Sequence, residues 1–327
     1  MQAIVATQNG GPEVLTMTDR PDPTPGPGEL AIDVVATAVN RADTLQRQGY
    51  YPPPPGASDL IGLECSGTVR ALGEGVTGFS LGQPVCALLV GGGYASIVVA
   101  PAGQVMPVPA NIDLTEAAAL PEAAATVWSN VYMGARLQPG ESLLVHGGAG
   151  GLGTLGIQIA TALGHPVYTT AGSAEKVARC AELGAELTIN YRDEDFPDRI
   201  RAHTGGRGVD VILDNMGGAY LDANLDALSM GGRLAIIGMQ GGTRGELRIS
   251  RLLQKRAAVL ASSLRPRPTE EKAAICAELV HHVWPLIADG RVRPVIDSIL
   301  PLADASEAHS RLESSAHTGK IVLAVQH

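Results

Sequence analysis

Three glycines with the spacing Gly148-x-Gly150-x-x-Gly153 stand between a short apolar run and a segment with helical periodicity. The run Leu143–His146 predicts a strand, and the segment Thr154–Leu163 predicts a helix. Glycines at these places permit a tight turn, the approach of a pyrophosphate to the backbone and close packing of helix on strand. The free N–H groups and the dipole of the helix N-terminus then hold the anion. The pattern predicts a dinucleotide-binding turn made by Gly148, Gly150, Gly151, Leu152 and Gly153.

The next predicted strand, Val167–Thr170, ends without the Asp or Glu that would bind the ribose 2′-hydroxyl of NAD. Gly172 and Ser173 follow it, and Lys176 lies one helical turn further on. A missing carboxylate beside a cation favours a 2′-phosphate, and therefore NADPH. One charge-assisted hydrogen bond contributes about 1.5–3 kcal/mol, or about 10- to 150-fold in affinity. Because Glu175 is close and can weaken this preference, NADH is not excluded.

Composition and charge exclude several classes of protein. The net charge is −9 with no Lys/Arg-rich run, which argues against binding to a nucleic-acid backbone. No run of 18 apolar residues is present, and the cysteines lack C-x-x-C spacing. We therefore expect a cytoplasmic protein with reduced cysteines and no nucleic-acid or membrane partner. The densest basic cluster is predicted to be a solvated helix face and comprises Arg244, Arg248, Arg251, Lys255 and Arg256.

The chain changes character along its length. The first third contains short strand patterns separated by Gly and Pro, which predicts a small barrel-like β domain. From Ser142 onward, strand and helix patterns alternate six times, which predicts a doubly wound parallel sheet. A helix is then predicted from Thr269 to about Asp289, and two final strands return to the first domain. The predicted fold is α/β, with a β-rich domain of residues 1–122 and 266–327 and a dinucleotide-binding domain of residues 123–265.

Several local strings carry a family resemblance. Gly10–Leu15, Asn40–Asp43, Gly62–Gly67 and Asn190-Tyr191, together with the glycine turn, resemble the medium-chain dehydrogenase/reductase superfamily. The chain is most similar to its zinc-free quinone oxidoreductase (ζ-crystallin-like) branch, and Asn40–Gly49 resembles the tumour-suppressor-inducible subgroup. The resemblance runs from end to end. It implies a GroES-like catalytic domain, a Rossmann domain that binds NADPH, and a homodimer.

The same resemblance bears on metal binding. In the zinc-containing branch a Cys stands where Asn40 stands, and a His stands where Leu63 stands; neither residue present suits Zn²⁺. The four-cysteine structural lobe would follow Cys86, where this chain has a short Gly-rich link. We expect no metal. Without a Lewis acid the acceptor must already be electron-poor, and the family implies one- or two-electron reduction of quinones by NADPH.

Two other functions stay open at this point. A 2-enoyl or alkenal double-bond reductase needs the same hydride donor and the same activated acceptor. It differs in requiring an acid near the α-carbon, for which Tyr51 is the only candidate in the sequence. A non-catalytic NADPH-binding or RNA-binding protein is the alternative from another class, although the acidic balance weighs against it.

The catalytic candidates lie in the first domain. Asn40 is predicted to hydrogen-bond the acceptor or the nicotinamide ribose, and otherwise to cap a helix. Tyr51, fixed by the prolines that follow it, is predicted to hydrogen-bond or stack on a quinone, and otherwise to be an ordinary loop aromatic. Asp43 and Arg41 are expected to form an ion pair or a cap. Glu64 is expected to make structural hydrogen bonds.

Further cofactor contacts are implied by the resemblance. Asn215 and the segment from Ile237 also lie at the carboxyl ends of predicted strands, where open α/β sheets bind ligands. Arg265 could serve as well but is expected to be solvated. The contacts implied are Thr126 (nicotinamide amide), Tyr191 (2′-phosphate), Asn215, Ile237, Gly238, Met239, Gln240, Ser262, Ser263 and Lys320.

Overall fold

The computed structural model describes residues 1–326. The chain divides into two compact units. The first unit comprises Met1–Ala125, Leu264–Gly290 and the chain from Pro294 onward, and the second comprises Thr126–Ser263 with Arg291–Arg293. The first unit is therefore discontinuous in sequence. Two of its boundaries lie two to three residues from those expected at 122/123 and 265/266, whereas Arg291–Arg293, expected in the first domain, fall in the second unit.

The amino-terminal part of the first unit contains seven strands and three helices. Its strands are β1 (Gln2–Ala6), β2 (Leu15–Asp19), β3 (Glu29–Ala38), β4 (Glu64–Leu72), β5 (Pro84–Leu88), β6 (Ile97–Pro101) and β7 (Val105–Pro107). Its helices are α1 (Arg41–Arg47), α2 (Leu114–Ala117) and most of α3 (Pro121–Val127). The last two residues of α3 belong to the second unit, where the chain continues as a π-helical turn over Trp128–Gly134. Pro121 separates α2 from α3 because proline cannot donate the backbone hydrogen bond that would continue α2.

The second unit alternates strand and helix, as predicted. Its elements are β8 (Leu143–His146), α4 (Gly151–Ala162), β9 (Val167–Ala171), α5 (Ala174–Glu182), β10 (Leu187–Asn190), α6 (Phe196–His203), β11 (Val209–Asp214), α7 (Leu221–Ala227), β12 (Leu228–Ile236), α8 (Ile249–Lys255) and β13 (Ala258–Ala261). The six strands form one parallel sheet in the order β10-β9-β8-β11-β12-β13. This confirms the doubly wound sheet.

Helix starts in the second unit follow their caps rather than their apolar periodicity. Helix α6 begins at Phe196, because the Asp195 side chain accepts a hydrogen bond from the backbone N–H of Asp198. The helix expected from Thr154 begins at Gly151, since Gly150 is its N-cap.

The chain then returns to the first unit through α9 (Thr269–His282), α10 (Trp284–Ala288), β14 (Ile296–Pro301), α11 (Ala305–Glu313) and β15 (Lys320–Ala324). The expectation of one continuous helix to Asp289 was wrong. The break falls at Val283, and Pro285 removes a donor from the first turn of α10. Helix α11 has no counterpart among the elements predicted from the sequence.

The main sheet of the first unit has the order β14-β15-β3-β4-β5-β7, with β6 paired to β3. Val322 of β15 lies opposite Ala38 of β3, and Cys65 of β4 lies opposite Thr37. The antiparallel register therefore brings Lys320 and Glu64 to the end of β3, just before Asn40. The sheet thus gathers three polar residues from distant parts of the sequence.

Candidate active site

The glycine turn between β8 and α4 is shaped so that side chains cannot occupy it. A Cβ on Gly153 would lie 2.6 Å from the Gly148 Cα, and a Cβ on Gly148 would collide with the Thr169 hydroxyl. Gly150 caps α4 with extended backbone. The turn therefore presents main chain and a helix N-terminus, which is the cradle that a pyrophosphate requires.

A second set of predicted residues meets at the ends of β9 and β10. A Cβ on Gly172 would lie 2.5 Å from the Tyr191 hydroxyl, so the absence of a side chain at Gly172 makes room for that phenol. The Ser173 Oγ caps α5 by accepting from the Lys176 N–H at 3.3 Å. We call Gly172, Ser173, Lys176 and Tyr191 the phosphate corner. It has a hydroxyl, a phenol and a cation, and none of its members is a carboxylate.

The carboxyl ends of β11 and β12 bring the next predicted group together. The Gln240 N–H donates to the Asn215 backbone oxygen at 3.2 Å, and a Cβ on Gly238 would lie 2.7 Å from the same oxygen. The Ile237 N–H donates to Asp214. The Asn215 side-chain oxygen is buried and has no hydrogen-bond partner in residues 1–326, so it is free to accept from a ligand. Met239 lies in the same segment, with its side chain exposed.

Two residues that sequence reasoning missed organise this unit. The Asn130 amide donates to the Thr126 backbone oxygen at 2.8 Å and accepts from the Ser262 hydroxyl at 2.6 Å. Asn130 therefore links Thr126 to Ser262, with Ser263 next along the chain. It lies in the π-helical turn, which has no sequence signature.

Asp214 is the second of these residues. Its carboxylate accepts from the N–H groups of Met216 and Gly217, and burial raises its pKa to about 6.

In the first unit, Asn40, Glu64 and Lys320 form a buried triad. The Lys320 Nζ donates to the Glu64 Oε1 at 2.5 Å and to the Asn40 Oδ1 at 2.7 Å. The Asn40 Nδ2 donates to the same Glu64 oxygen at 2.8 Å, and the other carboxylate oxygen accepts from the Glu122 N–H. The predicted structural role of Glu64 in hydrogen bonding is confirmed. Lys320 keeps a third N–H with no partner in the described part of the chain.

The hydrogen bonds of Asn40 favour one of its two predicted ligands over the other. Both of its N–H groups are used, one on Glu64 and one on the Ala38 oxygen at 3.3 Å. It therefore has no donor left for a quinone oxygen, but its Oδ1 retains a lone pair that can accept from a ribose hydroxyl. Asn40 is also the N-cap of α1, where the Asp43 carboxylate accepts from its backbone N–H at 2.8 Å. Asp43 thus caps the helix and makes no ion pair with Arg41.

Tyr51 lies half-buried in the same unit and is held by an arginine. The Arg265 guanidinium lies 5.4 Å from the centre of the Tyr51 ring, and its Nη1 donates to the Tyr51 backbone oxygen at 3.3 Å. The expectation that Arg265 is solvated was wrong, since only 4% of it is exposed. Its Nε donates to the Val90 oxygen at 2.6 Å, which places the side chain between two loops.

Residues 1–326 lack two kinds of feature. No group of three or more His, Cys, Asp or Glu side chains is arranged to hold a metal ion there. Leu63, at the position that the zinc branch gives to a His ligand, is a buried aliphatic residue with no donor atom. In the same range, no helix combines the length and the apolar character of a membrane span.

Known families match both parts of the chain. The "Alcohol dehydrogenase GroES-like domain" matches residues 26–110, and "Zinc-binding dehydrogenase" matches residues 151–279. These matches define a GroES-like domain joined to a Rossmann-type domain that binds a dinucleotide. The quinone oxidoreductase of Rattus norvegicus is 34% identical over 99% of this chain and 97% of its own length. The chain belongs to the quinone oxidoreductase-like part of the medium-chain dehydrogenase/reductase superfamily.

Solved structures agree with this assignment. The Escherichia coli quinone oxidoreductase in complex with NADPH has a TM-score of 0.89, 31% identity, and coverage of 99% of this chain and 100% of that one. The JamJ enoyl reductase has a TM-score of 0.88, 27% identity, and coverage of 99% of each chain. The family predicted from the sequence is confirmed. The narrower tumour-suppressor-inducible subgroup stays a prediction.

Proposed function

We propose that the protein is an NADPH-dependent reductase that transfers hydride, without zinc, to quinones or other electron-poor conjugated carbonyls. The observation that carries the proposal is the phosphate corner. It offers Lys176 and the hydroxyl groups of Ser173 and Tyr191 where an NAD-specific enzyme has a carboxylate.

The residues of the second unit fit a dinucleotide along its length. The glycine turn would hold the pyrophosphate, and Ser173, Lys176 and Tyr191 would hold the 2′-phosphate. The unpartnered oxygen of Asn215 would accept from the nicotinamide end, together with Thr126, Ser262, Ser263 and the Ile237–Gln240 segment. When bound, NADPH supplies the hydride.

The first unit supplies the acceptor side. Asn40 would accept a hydrogen bond from the nicotinamide ribose, and the free N–H of Lys320 would donate to the cofactor. The Tyr51 phenol, half-buried and fixed, would hydrogen-bond the acceptor oxygen. Because Asn40 and Leu63 replace two potential zinc ligands, the acceptor must delocalise the incoming charge onto its own oxygen.

A double-bond reductase is the second candidate, and the likeness to the JamJ enoyl reductase favours it. Both reactions use the same donor and the same conjugated acceptor. They differ in where the proton is delivered, since reduction of an enone or enoyl thioester adds a proton at the α-carbon.

We also propose that the protein is a cytoplasmic homodimer. Ala258–Ala261 (β13) is one of the two edge strands of the parallel sheet, and all four of its residues are exposed. An exposed apolar edge is a template for pairing with a second copy.

One assay tests the proposal. The protein is mixed with NADPH and, in separate samples, with 1,2-naphthoquinone, 9,10-phenanthrenequinone, trans-2-hexenal and crotonyl-CoA, and loss of nicotinamide absorbance is followed. Turnover of the quinones supports the proposal. Turnover of hexenal or crotonyl-CoA alone would establish the double-bond reductase instead. NADPH binding without any turnover would support the non-catalytic class.

A further inference from the structure

Two cations are buried in the first unit without a counter-ion. Arg265 is 4% exposed and Lys272 is 3% exposed, and the Lys272 Nζ donates to the Arg265 backbone oxygen at 3.3 Å. Within residues 1–326, neither has a carboxylate within the 4.0 Å of an ion pair. Buried charges are normally paired because desolvation costs several kcal/mol per ion. By contrast, the half-exposed neighbour Arg267 pairs with Glu271.

The Arg265 side chain is also incompletely hydrogen-bonded. Its Nε and Nη1 donate to the Val90 and Tyr51 oxygens, but its buried Nη2 has no partner in the described residues. A buried, unsatisfied guanidinium nitrogen is costly to the fold. Burial lowers the pKa of Arg265, while attraction to Tyr51 and Asp43 opposes that change. A stabilising role in packing therefore does not explain why a charged arginine occupies this buried position.

The Arg265 guanidinium contacts one of the catalytic candidates, Tyr51. It lies over the Tyr51 ring and bonds the backbone of the same residue, so that it fixes both the position and the plane of the ring. A cation over an aromatic face is attracted by the ring, and more strongly if the phenol ionises. Among the described residues, the carboxylate that raises the pKa of Arg265 is that of Asp43, which also accepts hydrogen bonds from the Asn40 N–H and the Tyr94 hydroxyl.

We propose that Arg265 is a positioning residue for the acceptor site, acting through Tyr51 to favour transfer of the phenolic proton to the reduced acceptor. This inference rests on the proposed function. Bound NADPH would supply the two-electron hydride and be oxidised to NADP⁺, which would leave the acceptor as an oxyanion. The Tyr51 O–H bond then breaks and an O–H bond forms on the acceptor oxygen. Arg265 stabilises the tyrosinate until water returns a proton to it.

The test compares Arg265→Met and Arg265→Lys with the matched control Arg267→Met. We expect Arg265→Met to lower kcat for a quinone about 10- to 100-fold, as loss of one charge at this distance predicts. Arg265→Lys keeps the charge and should retain kcat within about threefold while raising KM, because the planar fork is lost. Arg267→Met should leave both unchanged. If Arg265→Met does not fold, a Lys variant with kcat as low as that of Tyr51→Phe overturns the proposal.

A double-mutant cycle separates action through Tyr51 from a general loss of structure. In the Tyr51→Phe background, Arg265→Met should lower kcat by less than about threefold, since the group it acts on is gone. Equal losses in both backgrounds would show that Arg265 acts independently of Tyr51, against the proposal.

A readout without turnover keeps this proposal separate from the proposed function. The alkaline ionisation of Tyr51 is obtained from the near-ultraviolet absorbance difference between the protein and Tyr51→Phe. Arg265→Met should move the ionisation midpoint to higher pH, and Arg267→Met should not. An unmoved midpoint overturns the role of Arg265 whether or not quinones are reduced. Failure of the wild-type protein to reduce any conjugated carbonyl would overturn the proposed function instead.

Discussion

Lys320 and Asn40 are joined by a 2.7 Å hydrogen bond between Nζ and Oδ1, although 280 positions separate them in the chain. The bond completes a triad whose carboxylate, Glu64, is fully buried and lies 2.5 Å from the same Nζ. The buried carboxylate of Glu64 on β4 is therefore neutralised by the Lys320 ammonium of β15.

Removing one partner of the Lys320–Glu64 ion pair should destabilise the protein more than removing both. Lys320→Met leaves the Glu64 carboxylate buried without its cation and should lower the free energy of unfolding by about 3–5 kcal/mol. The double variant Lys320→Met/Glu64→Gln should recover most of that loss, because no charge is left unpaired. Denaturant unfolding of the three proteins measures both values. A double variant no more stable than Lys320→Met would show that the ion pair is not the reason for the loss.

Cofactor choice should depend on Lys176. Lys176→Glu replaces a cation of the phosphate corner by an anion. It should weaken NADPH binding by about 10- to 150-fold, while barely changing the affinity for NADH. Arg179→Glu makes the same charge change one turn along α5, where Arg179 is exposed and pairs with Glu182. It should affect both cofactors little. Titration of each protein with NADPH and NADH decides the matter, and equal losses for both cofactors in Lys176→Glu would remove Lys176 from the site.

Asp43 should make stability depend on pH in an identifiable way. Burial raises the pKa of Asp43 from 3.8 to about 7, so the native state holds this proton over a pH range in which the unfolded chain has lost it. The contribution of Asp43 to stability therefore falls as pH rises from about 4 to about 7, by on the order of 4 kcal/mol.

The variant Asp43→Asn isolates that contribution, because it is neutral throughout and can still accept from the Asn40 N–H. His146 and His309, whose pKa values burial lowers to about 4 and about 3, contribute with the opposite sign. They are common to both proteins and cancel in the difference. The stability of the wild type minus that of Asp43→Asn should decline between about pH 4 and pH 7. A constant difference would mean that Asp43 is already ionised at the lower pH.

The dimer predicted through β13 can be tested at its edge. Leu260→Lys places a charge on an exposed strand and should shift the protein from dimer to monomer in light scattering coupled to size exclusion. Leu81→Lys changes an exposed leucine of the first unit and should leave the mass unchanged. A wild-type protein that is monomeric at micromolar concentration would refute the dimer directly.

The sequence predicts local features of this fold well and long-range contacts poorly. The glycine turn and the alternation after Ser142 are set by neighbouring residues, and both are found as predicted. The meeting of Lys320 with Asn40 and Glu64 depends on the register of β15 on β3, which no local pattern encodes. Lys320 and Asn40 are both candidate site residues from the sequence, but the sequence does not show that their side chains are in contact.

Arg265 and Asn130 illustrate the other failures. Arg265 follows Leu264 and precedes a proline in a charged segment, so the local pattern suggests a solvated side chain. In the structure it is buried and donates to backbone oxygens of Val90 and Tyr51, which are distant in sequence. Asn130 lies in a π-helical turn whose residues would also suit an ordinary helix. In both cases the decisive partners are distant in sequence, and apolar periodicity gives no information about them.

The strand order β14-β15-β3 has a consequence for synthesis of the protein. Residues 126–263 form most of the second unit and leave the ribosome as one continuous segment. The main sheet of the first unit is complete only after β15, which begins at Lys320, has been synthesised. Since domains fold as their residues emerge, the nucleotide-binding part can become compact while β3 still has an open edge. Asn40 and Glu64 acquire their cation only after synthesis has passed Lys320.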